Sequence, residues 1–66
     1  MTKEEAQKKF NIAAGFYNRA LALERKAAKA SEWNNVELFR SQESEAMSEM
    51  WKLLAQFPSL DQSKVA

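Results

Sequence analysis

The five residues "SEWNN" (31–35) decide the fold, because they are the clearest interruption in a chain otherwise rich in helix-forming residues. Asn34 followed by Glu37 has the spacing of a capping box, in which side chains satisfy the free N–H groups at the start of a helix. Apolar residues follow directly. The pattern predicts that one helix ends near Ala30 and that a second helix begins near Asn35.

The first helix is marked at its other end by another capping-box spacing, formed by Thr2 and Glu5. From there the sequence continues without a proline. Gly15 is the one residue that weakens this helix, by about 1 kcal/mol relative to alanine. We therefore predict a first helix over about residues 3–30.

The second helix is expected to end at Phe57, because the residue before a proline disfavours helical backbone angles and Pro58 follows. This predicts a second helix over about residues 35–57 and a short, polar, flexible tail over residues 58–66. Two helices joined by a short loop form an antiparallel helical hairpin, so we expect an all-α domain over residues 1–57. One long bent helix is the alternative, since no glycine marks the turn, and the two capping signals favour the hairpin.

The composition limits the chemistry that the chain can perform. Its 66 residues include no cysteine and no histidine, so neither a disulfide nor a zinc or copper site is expected. The serines have no histidine to activate them, and the sequence has no glycine-rich phosphate loop. We therefore expect a protein that is not an enzyme and that needs neither a metal nor a cofactor.

Nothing in the sequence predicts insertion into a membrane. No apolar run approaches the roughly 20 residues that a transmembrane helix needs. The first residues, Met-Thr-Lys-Glu-Glu, lack the apolar core of a signal peptide. We expect a cytoplasmic protein without a membrane partner.

Apolar residues cover an unusually wide arc of the first helix. On a helical wheel they span roughly 200°, about twice what an ordinary surface helix needs. The second helix has a narrower stripe, with the alternating three- and four-residue steps of knobs-into-holes packing. Since a hairpin buries one stripe per helix, the remaining apolar surface predicts a homodimer in which two hairpins form a four-helix bundle. The residues expected in the core or at the dimer interface are Phe10, Ala13, Phe16, Tyr17, Ala20, Leu23, Phe39, Met50, Leu53 and Phe57.

Two acids interrupt these apolar arcs, Glu24 in the first helix and Glu43 in the second. Each is either a buried carboxyl with a raised pKa, suited to bind a metal or donate a proton, or an ion-paired residue that fixes the helix register. Antiparallel folding places Glu43 level with Arg19, and the lack of histidine disfavours a metal, so the sequence predicts an ion pair. Trp33 and Trp51 lie at the edge of the second stripe, where large aromatic side chains also suit an interaction surface.

Charge is divided unevenly between the two halves. Residues 1–30 contain seven basic and three acidic residues, whereas residues 31–66 contain three basic and six acidic residues. One face of the first helix gathers basic and amide side chains, namely Lys8, Asn11, Asn18, Arg19, Lys26 and Lys29. Such a face suits phosphate binding, because cations release counterions and amides hydrogen-bond sugars and bases. The alternative is a solvated surface whose positive field complements the acidic second helix.

Several short segments carry a resemblance to a known family. They are "MTKEE" at the start, "NIA" at 11–13, "LAL" at 21–23, Lys26, Ala46 and "LAQF" at 54–57. With one residue inserted early, the chain resembles the Rop family, the RNA-one modulators of colicin-type plasmids, over residues 1–57. The resemblance implies a dimer of helical hairpins that binds a pair of RNA stem-loops through its first helix and thereby lowers plasmid copy number. It also implies RNA contacts by Lys3, Asn11, Arg19 and Lys26, to which the charge pattern adds Lys8.

The sequence departs from the Rop pattern at two places. The phenylalanine of the family's RNA face falls on Gly15, which removes the stacking group unless Phe16 takes its place. The alignment also puts Gln42 and Glu49 where the family has core leucines, so the register of the second helix does not carry over. A shared bundle does not by itself imply a shared activity.

Two functions are therefore expected from the sequence. The first is a small regulatory protein that binds structured RNA as a dimer, and such binding weakens steeply with salt. The alternative is a protein-binding adaptor or inhibitor of plasmid or phage origin, which docks a partner's helix on its apolar face or on the two tryptophans. Binding of that kind is insensitive to salt.

Overall fold

The computed structural model describes residues 1–66, which form two α-helices packed against each other as a hairpin. Helix α1 spans Lys3–Lys29 and helix α2 spans Trp33–Gln56. The all-α hairpin predicted from the sequence is therefore confirmed. The molecule measures 42 × 17 × 14 Å, so it is little wider than a pair of helices. Neither helix combines the length and the apolar character that a membrane crossing requires.

Helix α1 begins where its cap predicts. The Thr2 hydroxyl oxygen accepts a hydrogen bond from the backbone N–H of Glu5 at 3.2 Å. Glu4 and Glu5 lie in the first turn, and basic side chains lie in the last turn. This distribution suits the helix dipole, which favours negative charge at the N-terminus and positive charge at the C-terminus.

The loop between the helices is closed by backbone hydrogen bonds around Ser31. The N–H of Ser31 donates to the carbonyl of Ala28 at 3.1 Å, and the N–H of Glu32 donates to the carbonyl of Ala27 at 2.9 Å. These two bonds form a Schellman motif, whose left-handed position is usually a glycine. Here that position is Ser31, with a φ of 56°. This turn is not recognisable from the sequence, because a serine occupies the left-handed position that is usually a glycine.

The tight turn lets α2 begin at Trp33, two residues earlier than the predicted start at Asn35. Glu32 is the residue before the helix, and its side chain makes no capping hydrogen bond. Asn34 already lies inside the helix, so the predicted capping box of Asn34 and Glu37 is wrong. The physical reason is that the Schellman motif satisfies the carbonyls at the end of α1 and turns the chain without a side-chain cap.

Helix α2 ends just before the proline, as predicted. Its last residue is Gln56, and Phe57 leaves the helical region with φ −133° and ψ 81°. The N–H of Phe57 still donates to the carbonyl of Leu53 at 2.8 Å. The conformational restriction that Pro58 imposes on the residue before it accounts for this ending.

Residues 58–66, which we name the strap, lie back along the hairpin, whereas the sequence predicts a flexible tail. Leu60 is only 4% exposed and belongs to the main core cluster, and Val65 packs against that cluster. Two apolar side chains thus anchor a segment that is otherwise polar. The side of the hairpin that the strap covers is named the strap face.

Side-chain amides of α1 hold the backbone of the strap. The Gln7 amide donates to the carbonyl of Asp61 at 3.0 Å and accepts from the N–H of Asp61 at 2.8 Å. The Asn18 amide donates to the carbonyl of Lys64 at 2.7 Å and accepts from the N–H of Ala66 at 2.8 Å. Gln7 and Asn18 lie on one face of α1, since eleven positions are about three helical turns. The strap is therefore bound at both ends by complete donor–acceptor pairs.

The core is concentrated at the end of the hairpin opposite the loop. The cluster there consists of Ala6, Phe10, Ala13, Ala14, Met50, Leu53 and Leu60. Phe10 is the one large side chain that is fully buried. Toward the loop the buried residues are small, namely Ala20, Ala27, Val36 and Ala46. Small residues let the helix axes approach closely, and they leave larger apolar groups at the margins unburied.

Candidate nucleic-acid interface

A strip of positive charge runs along the exposed side of α1. Lys8, Arg19 and Lys26 are all exposed, and helical periodicity places them within an arc of roughly 20°. We name these three residues the basic strip. It is about 27 Å long, because eighteen positions separate its ends at about 1.5 Å each. Gly15, beside the strip, has open space around it, so the surface there is accessible.

The basic strip has no acidic partner within the hairpin. The two salt bridges of the chain join Arg40 to Glu24 at 3.6 Å and Lys52 to Glu49 at 3.8 Å. Neither involves a residue of the strip. No ion pair within the chain therefore engages the charges of the strip.

The amides predicted on this face are partly engaged elsewhere. Both polar atoms of the Asn18 amide bind the strap. The Asn11 side-chain oxygen accepts a hydrogen bond from Gln7 at 3.0 Å, which leaves its NH₂ group free to donate to a ligand. Lys3 is exposed but lies roughly 140° around α1 from Lys8. The structure thus brings Lys8, Arg19 and Lys26 together, places Asn11 beside them, and separates Lys3 from them.

The residues predicted for the core or the dimer interface divide into three groups. Phe10, Ala13, Ala20, Met50 and Leu53 are buried. Tyr17, Leu23, Phe39 and Phe57 are half-buried. Phe16 stands apart, because 65% of its surface is exposed although it is a large apolar residue.

Phe16 belongs to an open groove between the helices, on the side of the hairpin opposite the strap. The groove has a volume of about 540 Å³ and is lined by Phe16, Arg19, Leu23, Phe39, Gln42, Glu45, Ala46 and Glu49. Helical spacing extends it by the exposed residues Ile12 on α1 and Leu38 on α2. These ten residues are named the open face. Arg19 thus belongs both to the basic strip and to the margin of the open face, which the sequence alone does not indicate.

The two acids inside the apolar arcs meet each other. Burial raises the pKa of the Glu43 carboxyl, and a hydrogen bond and charge repulsion from Glu24 raise it further, while Arg40 and Arg25 act in the opposite direction. One carboxylate oxygen of Glu43 is buried and has no hydrogen-bond partner.

The predicted ion pair between Glu43 and Arg19 is wrong. Arg40 bonds to Glu24 instead, and Arg19 lies in the groove of the open face. The relative height of the two helices agrees with the expectation. The rotation of α1 about its axis differs, so that Glu24, and not Arg19, faces Glu43. No cluster of three or more acids forms around this pair that could hold a metal ion.

Trp33 and Trp51 lie on one side of α2, since eighteen positions are about five helical turns. They are 63% and 65% exposed. The sequence places them at the edge of the apolar stripe, and the structure leaves both rings largely in solvent. They form a second, more dispersed apolar surface.

No known protein family, no curated protein and no solved structure matches this chain.

Proposed function

We propose that this chain is a small regulatory protein that forms a homodimer through its open face and binds structured RNA through its basic strip. The observation that carries the proposal is the grouping of Lys8, Arg19 and Lys26 within a narrow exposed arc, without an acidic partner in the chain. Cations arranged in this way release counterions when they meet a phosphate backbone, and this release drives binding.

The strip suits an RNA backbone better than unpaired bases. No aromatic side chain stands among its three cations. The exposed ring of Phe16, three positions from Arg19, lies on the open face, and the proposed dimer covers that face, so the ring is not free to stack on a base. Recognition by phosphate and sugar contacts follows the shape of a nucleic acid and depends little on sequence. Asn11 supplies a side-chain NH₂ donor next to the strip. The resemblance to the Rop family agrees with a structured stem-loop as the ligand.

A homodimer is supported by the amount of surface that one chain exposes. The accessible surface is 4861 Å², whereas a compact monomer of this mass is expected to expose about 4,300 Å². Large apolar side chains, including Ile12, Phe16 and Leu38, contribute to the exposed area on the open face. A second hairpin packed on that face completes a four-helix bundle. The dimer carries the basic strip twice, which strengthens its attraction for phosphate.

The test is a titration of a fluorescently labelled pair of complementary RNA stem-loops with the full chain, followed by anisotropy at low and at physiological salt. We expect binding that weakens steeply as salt rises. The double variant Lys8→Ala, Lys26→Ala should weaken binding to all sequences alike. It should also lower the slope of log K against log salt by roughly 1 for each lysine that contacts phosphate.

The matched control is the double variant Lys52→Ala, Lys64→Ala, which removes the same charge from α2 and the strap. It should leave the salt slope unchanged. Equal losses of RNA affinity for both double variants would show a general charge effect and contradict RNA binding through the basic strip. An absence of binding at low salt would overturn the RNA proposal. The exposed Trp33 and Trp51 would then favour a protein-binding adaptor, whose binding is insensitive to salt.

A further inference from the structure

The two margins of the open face carry opposite charges. On α1, Ile12, Phe16, Arg19 and Leu23 follow one another in steps of four, three and four, and on α2 the same steps connect Leu38, Gln42, Glu45 and Glu49. These are the steps of residues that line a helix–helix contact in a bundle. The α1 row has one cation and no acid, whereas the α2 row has two acids and no cation. The whole helices differ in the same sense, with seven basic and three acidic residues in α1 and two basic and four acidic residues in α2.

Two symmetric arrangements bring two open faces together. In the first, the twofold axis runs parallel to the helices, so that α1 packs on the partner's α2 and both loops lie at the same end. In the second, the axis runs across the helices, so that each helix packs on its own copy and the loops lie at opposite ends. Both bury the same apolar residues at the centre of the bundle. They differ in which charges meet at its edges.

We infer that the partner on the open face is a second copy in the first arrangement, with Arg19 of each chain facing the partner's Glu45 and Glu49. This inference rests on the proposed homodimer. Arg19 and Glu45 line the same groove, so they lie at the same height, and an axis parallel to the helices preserves that height. Neither Arg19 nor Glu45 forms an ion pair within its own chain, whereas Glu49 pairs with Lys52. Charges at the flanking positions of helix bundles set the choice and orientation of partners.

The second arrangement places like charges together. Glu45 and Glu49 would lie beside the same acids of the partner, and the strongly basic α1 would lie beside another α1. Like charges opposed in this way disfavour an interface even where its apolar contacts are good. The first arrangement replaces each repulsion by an attraction.

This geometry places Arg19 against the partner's acids, and it therefore narrows the proposed RNA contacts from the whole basic strip to Lys8 and Lys26. In the first arrangement the two α1 helices lie diagonally across the bundle, so their basic strips face opposite sides. The dimer therefore offers two separate phosphate-binding edges, which suits holding two RNA segments at once. The second arrangement would merge both strips into a single surface.

The direct test measures a distance between two spin labels by pulsed electron paramagnetic resonance, without RNA. The chain has no cysteine, so one substitution provides one label per chain. Glu32→Cys labels the loop. We expect a separation within about 25 Å, because the loops then stack at one end of two helix layers roughly 10 Å apart. A separation close to the 42 Å length of the hairpin would overturn the inference and establish the second arrangement.

Ser44→Cys, near the middle of α2, is the control. Its position near the mid-height of the hairpin gives it a separation well below 42 Å in both arrangements, so such a distance here with a long one at the loop contradicts only the inferred arrangement. Absence of dipolar coupling at both positions would overturn the dimer itself, and with it the inference. RNA binding plays no part in this measurement, and its failure would be seen separately.

Charge reversal provides a second test. Arg19→Glu should weaken association roughly threefold to thirtyfold, since two symmetric pairs are lost, and the double variant Arg19→Glu, Glu45→Arg should restore it. Unchanged association of the single variant, or a double variant that does not regain association, would contradict the assignment of Arg19.

Discussion

The strap face and the open face are the two broad sides of one hairpin, and they differ in what covers their apolar side chains. On the strap face, Leu60 enters the core, and Gln7 and Asn18 bind the strap backbone through four hydrogen bonds. On the open face, Phe16 is 65% exposed, and no segment of the chain covers it. On one side the chain thus covers its own core, and in our proposal a second molecule covers the other side.

The wide apolar arc of α1 explains why two coverings are needed. One part of the arc packs on α2, with Phe10 at its centre, and a second part lies under the strap. The third part, around Ile12 and Phe16, has no covering in the chain. An arc that is wider than a hairpin needs therefore corresponds to three separate contacts, of which the chain supplies two.

The largest effect is expected from breaking the strap contact. Leu60→Ala should lower the free energy of unfolding by roughly 2–4 kcal/mol, because it removes a buried side chain and leaves a cavity. The measurement is urea unfolding followed by tryptophan fluorescence at low protein concentration. Leu38→Ala is the control, since that leucine is exposed in the single chain. Equal costs for the two variants would contradict a strap that is part of the folded core.

The next effect concerns the open face. Phe16→Ser should raise the dissociation constant of the dimer at least tenfold, which corresponds to about 1.4 kcal/mol. It should hardly change the stability of the monomer, because the ring is mostly in solvent there. Sedimentation equilibrium measures the association. Trp51→Ser is a close control, since Trp51 is equally exposed but lies outside the open face. A stronger loss of association for Trp51→Ser than for Phe16→Ser would show that the interface lies on the other side of α2.

A smaller effect is expected at the loop that joins both faces. Ser31→Gly should stabilise the chain by about 1 kcal/mol, because glycine adopts the left-handed conformation without the clash of a Cβ atom. Thermal unfolding by circular dichroism should show a rise in Tm, with the association unchanged. Ser41→Gly, inside α2, should instead lower Tm. A fall in Tm for Ser31→Gly would contradict the Schellman turn.

The smallest effect is expected at the acid pair, and it depends on pH. The folded chain raises the pKa of Glu43 above its ordinary value, mainly by burial. The protonated carboxyl is therefore favoured in the folded state. Its contribution is fully present below the ordinary glutamate pKa and is lost as pH rises through the raised pKa. Glu43→Gln should thus raise Tm by a few degrees at neutral pH and have little effect at acidic pH. Glu37→Gln, an exposed acid on α2, is the control, and equal behaviour of the two would contradict a special environment for Glu43.

Local chemistry accounts for the features that the sequence predicts. The cap at Thr2 and the stop at Pro58 each act within a few residues, so both are visible in the sequence and agree with the structure. The periodicity of α1 likewise predicts that Lys8, Arg19 and Lys26 share one face. Predictions of this kind succeed because a helix fixes the relative directions of its own side chains.

The features that the sequence misses depend on contacts between distant residues or on an unusual backbone conformation. Gln7 meets Asp61 across 54 positions, and nothing near either residue indicates the contact. Ser31 adopts a conformation that its side chain does not favour. The placement of Arg19 beside Glu45 depends on how α1 rotates against α2, which the pairing of Glu24 with Glu43 reveals. The docking of the strap and the position of Arg19 on the open face thus depend on tertiary packing.

In our proposal a second copy covers the open face, and sedimentation equilibrium of the unmodified chain over a wide range of concentrations measures this association. We expect a species of twice the 7.6 kDa chain mass at high concentration, which dissociates to single chains on dilution. A mass of 7.6 kDa at every concentration would contradict it. The open face would then be free for a different partner.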